Sequence, residues 1–241
     1  RSLIDWVGED INGRVPYAVT VGEGSVPGQI EFVKAAIAAG ADWAILQPPA
    51  ILGVPEIEYV RFLGDVADTT DLALAVQNAP GVMATSLSNG GLKTLNKQHP
   101  NICLLKAEGP ATYIHQLMQD TEGAFDIFGG LAGIQFPDSL RAGCVGNIPA
   151  ADIFDPQIKI YELMQNGAEK NIAKAEEIHR ELLPLLVFMM SSVENFIAYG
   201  KDLMAQRLGL ENGSARQPSL PVSDFGKQIV DHWAKHLGPL P

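Results

Sequence analysis

The chain has 241 residues, 46% hydrophobic and 19% charged, which is enough for one sizeable core and too apolar for a disordered segment. A formal charge of −11 with no basic cluster sets aside nucleic acid and anionic membrane surfaces as partners, and two cysteines, Cys103 and Cys144, cannot build a disulfide framework, which suits a reducing cytoplasm. The longest apolar run, Leu182 to Met190, is broken by Pro184 and falls far short of the ~20 residues of a membrane span, while the opening Arg1 to Trp6 reads as amphipathic helix rather than signal peptide.

From Ser2 to Ile11 the apolar residues Leu3, Ile4, Val7 and Ile11 fall at helical spacing, and Asn12-Gly13 supplies a left-handed cap. A β-prone segment, Val15 to Val21, ends in Gly22-Glu23-Gly24-Ser25, and a helix is predicted from about Pro27 to Ala39. The same unit then recurs. Strands are predicted over 41–47, 72–76, 102–106, 124–128 and 144–148, alternating with helices over 57–67, 91–98, 112–119 and 136–142. Beyond them the pattern is helical only, over 156–166, 172–190, 193–208 and 222–237, with a polar connection from Asn212 to Pro221. Residues 1–155 thus read as a sheet-bearing part and 156–241 as helices packed on it.

Strands alternating with helices, with apolar strand interiors, imply a parallel sheet covered by helices. Six strands suit either an open doubly wound sheet or most of an eight-stranded barrel. Gly22-Glu23-Gly24 lacks the third glycine of a dinucleotide-binding fingerprint, which disfavours the open sheet. In both folds the site lies at the carboxyl ends of the strands.

Those ends carry Gly22-Glu23, Gln47, Gln77-Asn78, Lys106 with Glu108, Gly129-Gly130 and Gly146-Asn147. The set is polar, mostly uncharged and rich in glycine, which suits a small hydroxylated substrate approached by backbone amides. No His, Cys or Asp cluster stands among them, so neither a protein-held metal nor a cofactor is expected. Lys106 ends the apolar strand Ile102-Cys103-Leu104-Leu105-Lys106, and alternation points Glu108 the same way. An amine and a carboxylate there are costly to bury unless paired or used. One reading is a lysine reaching water, or an ion pair in which Glu108 merely neutralises it. The other is a neutral amine that attacks a ketone, with Glu108 as general acid/base beside the imine. His232 and His236 have metal-like i, i+4 spacing but read as a solvated last turn, and His99, His115 and His179 show no evident partners. Cys103 alternates away from Lys106 and Cys144 starts the last strand, so both read as packing residues.

Several stretches carry a family likeness: Gly40-Ala41-Asp42 leading to Gln47-Pro48-Pro49, Asn78-Ala79-Pro80-Gly81, Leu105-Lys106-Ala107-Glu108-Gly109, Phe128-Gly129-Gly130, and Arg216-Gln217-Pro218 to Pro221. Together they resemble the dihydrodipicolinate synthase / N-acetylneuraminate lyase family, class I aldolase-type TIM barrels, over nearly the whole chain. The resemblance implies an α/β fold, a (β/α)8 barrel with extra C-terminal helices, and a Schiff-base lysine at Lys106. It also implies two further βα units upstream, including the carboxylate-binding loop. The chain is therefore expected to lack roughly two βα units, on the order of 60 residues of a ~250-residue barrel, since six parallel strands leave open edges.

The departures bear on the reaction. Gln77 stands where most of the family has a proton-relaying tyrosine, and an amide cannot relay a proton as a phenol does. Pro49-Ala50 and Val82 replace the synthases' tyrosine pair and arginine, and Glu108 occupies a position that is small in the aldolases. This arrangement is most similar to dehydratases of 2-keto-3-deoxy sugar acids, of the L-2-keto-3-deoxyarabonate type. The resemblance then implies Lys106 and Glu108 as catalytic, Gln77 orienting substrate hydroxyls, and backbone around Gly130, Val145 and Gly146 lining the site. The implied partner is a small 2-keto acid, the product 2-oxoglutarate semialdehyde, and the assembly a cytoplasmic homotetramer. A retro-aldol lyase releasing pyruvate, a synthase-like condensation and a catalytically silent sugar-acid sensor are the alternatives.

Overall fold

The computed structural model describes residues 2–211 and 213–240, so Asn212, the expected start of the polar connection, lies outside the described residues, as do Arg1 and Pro241. Two compact units emerge. The first runs to Gly129 and takes in Ala142–Val145; the second comprises Gly130–Arg141 and the chain from Gly146 onward.

The first unit alternates helix and strand: α1 (Ser2–Ile11), β1 (Ala18–Val21), α2 (Val26–Ala38), β2 (Trp43–Leu46), α3 (Glu56–Ala67), β3 (Ala73–Asn78), α4 (Asn89–Gln98), β4 (Ile102–Ala107), α5 (Ala111–Asp120) and β5 (Asp126–Gly129). All five strands pair in parallel with their neighbours in chain order. The helices begin where the sequence supplies caps: Ser25 Oγ accepts from the Gly28 amide with Pro27 in the first turn, and Ser88 Oγ accepts from the Gly91 amide. Leu46, Leu74, Val76, Leu105 and Ile127 are fully buried on the strands, as are Leu63, Leu92, Leu95, Ile114 and Leu117 on the helices, which is the two-sided burial a parallel sheet requires. A smaller core joins Tyr17, Val19, Ala36 and Ala41, with Ile4, Val7 and Ile11 of α1 packed against it.

The sheet is strongly curved. Trp43 on β2 and Phe128 on β5 stack with ring centroids 5.2 Å apart and planes at 16°, although β3 and β4 lie between their strands. One irregularity interrupts the ladder. Leu74 pairs with Ile102 but Ala75 pairs with Leu104, so Cys103 is the extra residue of a bulge. The simple alternation that turned Cys103 away from Lys106 is therefore broken on that side of Leu104, and Cys103 is only partly buried.

The second unit holds a 3₁₀ turn (Leu131–Gly133), α6 (Phe136–Arg141), the short β6 (Gly146–Asn147), a second 3₁₀ turn (Ala151–Ile153), α7 (Phe154–Asn166), α8 (Glu169–Met189), α9 (Val193–Arg207) and α10 (Asp224–Ala234). The strand expected over 144–148 is thus reduced to two residues, and the two 3₁₀ turns carry no periodicity that would have announced them. Phe136, Ile153, Ile160, Leu182, Leu185, Leu186, Met189, Leu203 and Val230 form its core. Arg207, buried at the end of α9, donates to both carboxylate oxygens of Asp155 (2.8 and 2.7 Å) and to the backbone oxygens of Asp152 (2.5 Å), Gly238 (2.9 Å) and Leu237 (3.2 Å). That uses all five guanidinium donors.

Candidate active site

The strand register assembles a polar line at the carboxyl ends of three adjacent strands. Gln77 pairs with Lys106, and Lys106 with Phe128, so these three side chains share the inner face. The β3–β4 ladder continues one step past β4, because the Glu108 amide donates to the Asn78 carbonyl at 2.9 Å. This added rung holds Glu108 in strand register, two residues from Lys106 and on its face. Lys106 Nζ lies 3.2 Å from Glu108 Oε1, with the two side chains 17% and 15% exposed. Gln77 Nε2 donates to the other oxygen, Oε2, at 3.2 Å.

The line extends beyond Gln77. Gln47, the residue after β2, donates through Nε2 to Gln77 Oε1 at 2.8 Å. Gln29 on α2 is fully buried, and its Nε2 donates to the backbone oxygens of Glu23 (2.9 Å) and Gln47 (2.8 Å). One helix amide thus ties the ends of β1 and β2.

Behind the site Asn78 faces the helices. Its Nδ2 donates to the Leu87 carbonyl (3.0 Å) and the Tyr113 hydroxyl (2.9 Å), and its Oδ1 accepts from the Leu87 amide (2.8 Å). A Cβ on Gly109 would lie 2.4 Å from the Tyr113 ring, so the glycine after Glu108 lets that ring fold against the backbone. Burial pushes the Tyr113 phenol up, and the Asn78 hydrogen bond works against the shift. Both Asn78 donors are used and its oxygen is engaged, so it serves as a staple.

Of the residues expected at the site, Gln77, Lys106 and Glu108 come together. Val145 belongs to the same unit, partly exposed, with its amide donating to the Ile127 carbonyl at 2.9 Å. Gly130 and Gly146 belong to the second unit, Gly130 just before the first 3₁₀ turn and Gly146 in β6. Gln47 stands among the strand-end residues expected to border the site but was given no role there, and Gln29 escaped the sequence reading. The signal for Gln47 was present, since it follows an apolar strand at the same level as Gln77; nothing marked Gln29 on its helix.

Among the described residues no group of three or more His, Cys, Asp or Glu gathers as metal ligands would. His99 does have a partner: its Nδ1 lies 2.8 Å from Asp68 Oδ1. His232 makes an edge-on contact with Trp233. Burial pushes the Cys144 thiol up to about 11, as befits a small packed side chain, and burial followed by the Asp126 charge raises Cys103 against the pull of a backbone hydrogen bond.

A curved parallel βα sheet with its polar line at the strand ends is the architecture of part of a TIM barrel. The family model described as "Dihydrodipicolinate synthetase family" matches residues 1–237, and the chain belongs to that family of class I aldolase-type lyases. It is 26% identical over 224 residues to the 4-hydroxy-tetrahydrodipicolinate synthase of Bacillus velezensis, covering 92% of this chain and 75% of that one. It is 27% identical over 180 residues to the Escherichia coli protein YagE, provisionally named a 2-dehydro-3-deoxy-D-gluconate aldolase, covering 73% of this chain and 59% of that one. The solved structure of YagE, described as a complex with pyruvate, superposes with a TM-score of 0.86 over 98% of this chain and 80% of that one at 22% identity. A structure described as the first monomeric dihydrodipicolinate synthase variant also superposes at 0.86 and 22% identity, over 99% of this chain and 79% of that one. The fold is that of the family's TIM barrel, and assembly state varies among the proteins that share it.

Proposed function

We propose that the protein is a Schiff-base dehydratase of a 2-keto-3-deoxy sugar acid, of the L-2-keto-3-deoxyarabonate kind, acting in the cytoplasm as a homo-oligomer. The observation that carries this reading is the carboxylate of Glu108 held 3.2 Å from the Lys106 amine, with an amide, Gln77, on its other oxygen. A carboxylate can take and return a proton beside an imine; the amide at 77 cannot do so in place of a phenol.

In this mechanism the Lys106 amine gives its extra proton to Glu108 and adds to the C2 carbonyl; Glu108 then passes that proton to the carbinolamine hydroxyl, which leaves as water, so that a protonated imine forms and Glu108 is again a carboxylate. The imine acidifies C3. Glu108 removes a C3 proton, the resulting enamine expels the C4 hydroxyl, and Glu108 returns the proton so that the group leaves as water. The unsaturated imine rearranges until the C5 carbinol carbon becomes an aldehyde, and hydrolysis frees Lys106 and 2-oxoglutarate semialdehyde. Gln77 keeps one N–H beyond those it gives to Glu108, available for a substrate hydroxyl. The stacked Trp43 and Phe128 rings give the inner face an apolar floor.

Borohydride added with the keto acid should fix a mass adduct on Lys106, and its absence would remove the Schiff base. Glu108→Gln should still trap the imine but lose dehydration by about 10²–10⁴-fold. The second reading, retro-aldol cleavage, is favoured by the description of the YagE structure as a pyruvate complex. A lactate-dehydrogenase-coupled assay decides: pyruvate release at the rate of substrate loss would replace dehydration with cleavage.

A further inference from the structure

Three hydrogen bonds along the polar line run in sequence toward Glu108. Gln29 holds the backbone of Gln47, Gln47 Nε2 donates to Gln77 Oε1, and Gln77 Nε2 donates to Glu108 Oε2. A carboxamide has one donor end and one acceptor end, so whatever binds one end of Gln77 decides which end faces Glu108. With Gln47 donating to Oε1, the N–H end must face the carboxylate. The opposite orientation would set two oxygens against each other unless Glu108 carried a proton.

Gly22 gives Gln47 room for this pose. A Cβ at position 22 would lie 2.7 Å from Gln47 Oε1, and Gly22 is not among the residues with a left-handed backbone. Its missing side chain therefore serves the neighbouring amide rather than a turn. The charged neighbour of Glu108 is Lys106 on β4, 3.2 Å away; toward β3 and β2 stand the uncharged amides of Gln77 and Gln47, and toward β5 Lys106 pairs with Phe128.

We infer that Gln47 is a positioning residue for the reaction: through Gln77 it keeps an N–H donor on Glu108 and so holds that carboxylate ready as the base at the start of turnover. This rests on the reading of Glu108 as the acid/base given above.

The test is the pH profile of dehydration by the full chain, using a 2-keto-3-deoxy pentonate, with borohydride trapping run in parallel. Gln47→Met should move the acid limb of the kcat profile up, by at most about one pH unit or a tenfold loss of kcat on that limb, because Gln77 is then free to turn its oxygen toward a protonated Glu108. Trapping at Lys106 and KM should be unchanged. Gly22→Ala, which displaces the Gln47 amide without altering it, should shift the limb the same way by a smaller amount. Adding Gln47→Met to Gln77→Leu should shift it no further, because Gln47 reaches Glu108 only through the Gln77 amide.

An unshifted limb in Gln47→Met, or fully additive shifts in the double variant, would overturn the inference. If Gln47→Met does not fold, the Gly22→Ala profile decides in the same terms. Glu108→Gln separates the two claims. Turnover surviving in it sinks the proposed function and the role of Gln47 together. Dehydration lost in it with imine retained, beside an unshifted Gln47→Met profile, sinks only Gln47.

Discussion

Each compact unit holds a largely enclosed cation beside a carboxylate, and the two, Lys106 and Arg207, are treated differently. Arg207 in the helical unit spends all five donors on Asp155 and three backbone oxygens. Lys106 in the sheet-bearing unit has, among the described residues, one ion pair, with Glu108, and the neighbouring Gln77 amide is aimed at that carboxylate. A saturated cation can only hold structure, whereas one with unused donors at a strand mouth has capacity left for a ligand. Burial and charge alone would not have separated them; the donor count does.

The sharpest break of this contrast is at the lysine. Lys106→Met should abolish imine trapping and reduce turnover by at least about 10³-fold, in line with losing a covalent nucleophile. Turnover near wild type would make Lys106 as structural as Arg207. The mirror substitution, Arg207→Met, should cost about 3 kcal/mol by denaturant unfolding, because it leaves Asp155 without its partner. It should leave the acid limb of the kcat profile where it was.

Asp152 supplies a pH test of the helical unit. Burial pushes its carboxyl up to about 6, a backbone hydrogen bond and the Arg207 charge pull only partly the other way, and Oδ2 has no hydrogen-bond partner. A carboxyl raised on folding binds its proton more tightly in the native state. Its contribution is therefore most favourable below the ordinary aspartate value, declines as pH rises from about 4 to about 6, and stays low above that. Asp152→Asn should flatten this decline and recover up to about 3 kcal/mol at neutral pH. A decline that persists in the variant would assign it to another group. The smallest expected effect is at the α9 cap, where Ser192 Oγ accepts from the Asn195 amide at 3.1 Å: Ser192→Ala should cost about 1 kcal/mol and no activity.

Much of the sheet-bearing unit was legible because parallel strands and their covering helices are written in local pattern. The apolar run ending in Lys106 and the step of two to Glu108 gave the pair directly, since strand alternation is a property of neighbouring residues. Gln29 was not legible: its amide meets the ends of β1 and β2 only after three elements have packed, and a glutamine on a helix otherwise reads as a solvent-facing residue. The bulge at Cys103 was hidden for a related reason, because a register shift exists only between two strands. In the helical unit the long elements were evident from periodicity. Leu131 and Ala132, with φ of 51° each, carry no composition cue for their left-handed turn.

The stacked rings of Trp43 and Phe128 bridge strands that share no backbone bond. Peeling away β2 or β5 alone would forfeit that contact as well as a ladder, so opening should be collective. Amide hydrogen exchange across β2 to β5 should then report one common protection level, with β1, which among the described residues pairs with β2 alone, exchanging sooner.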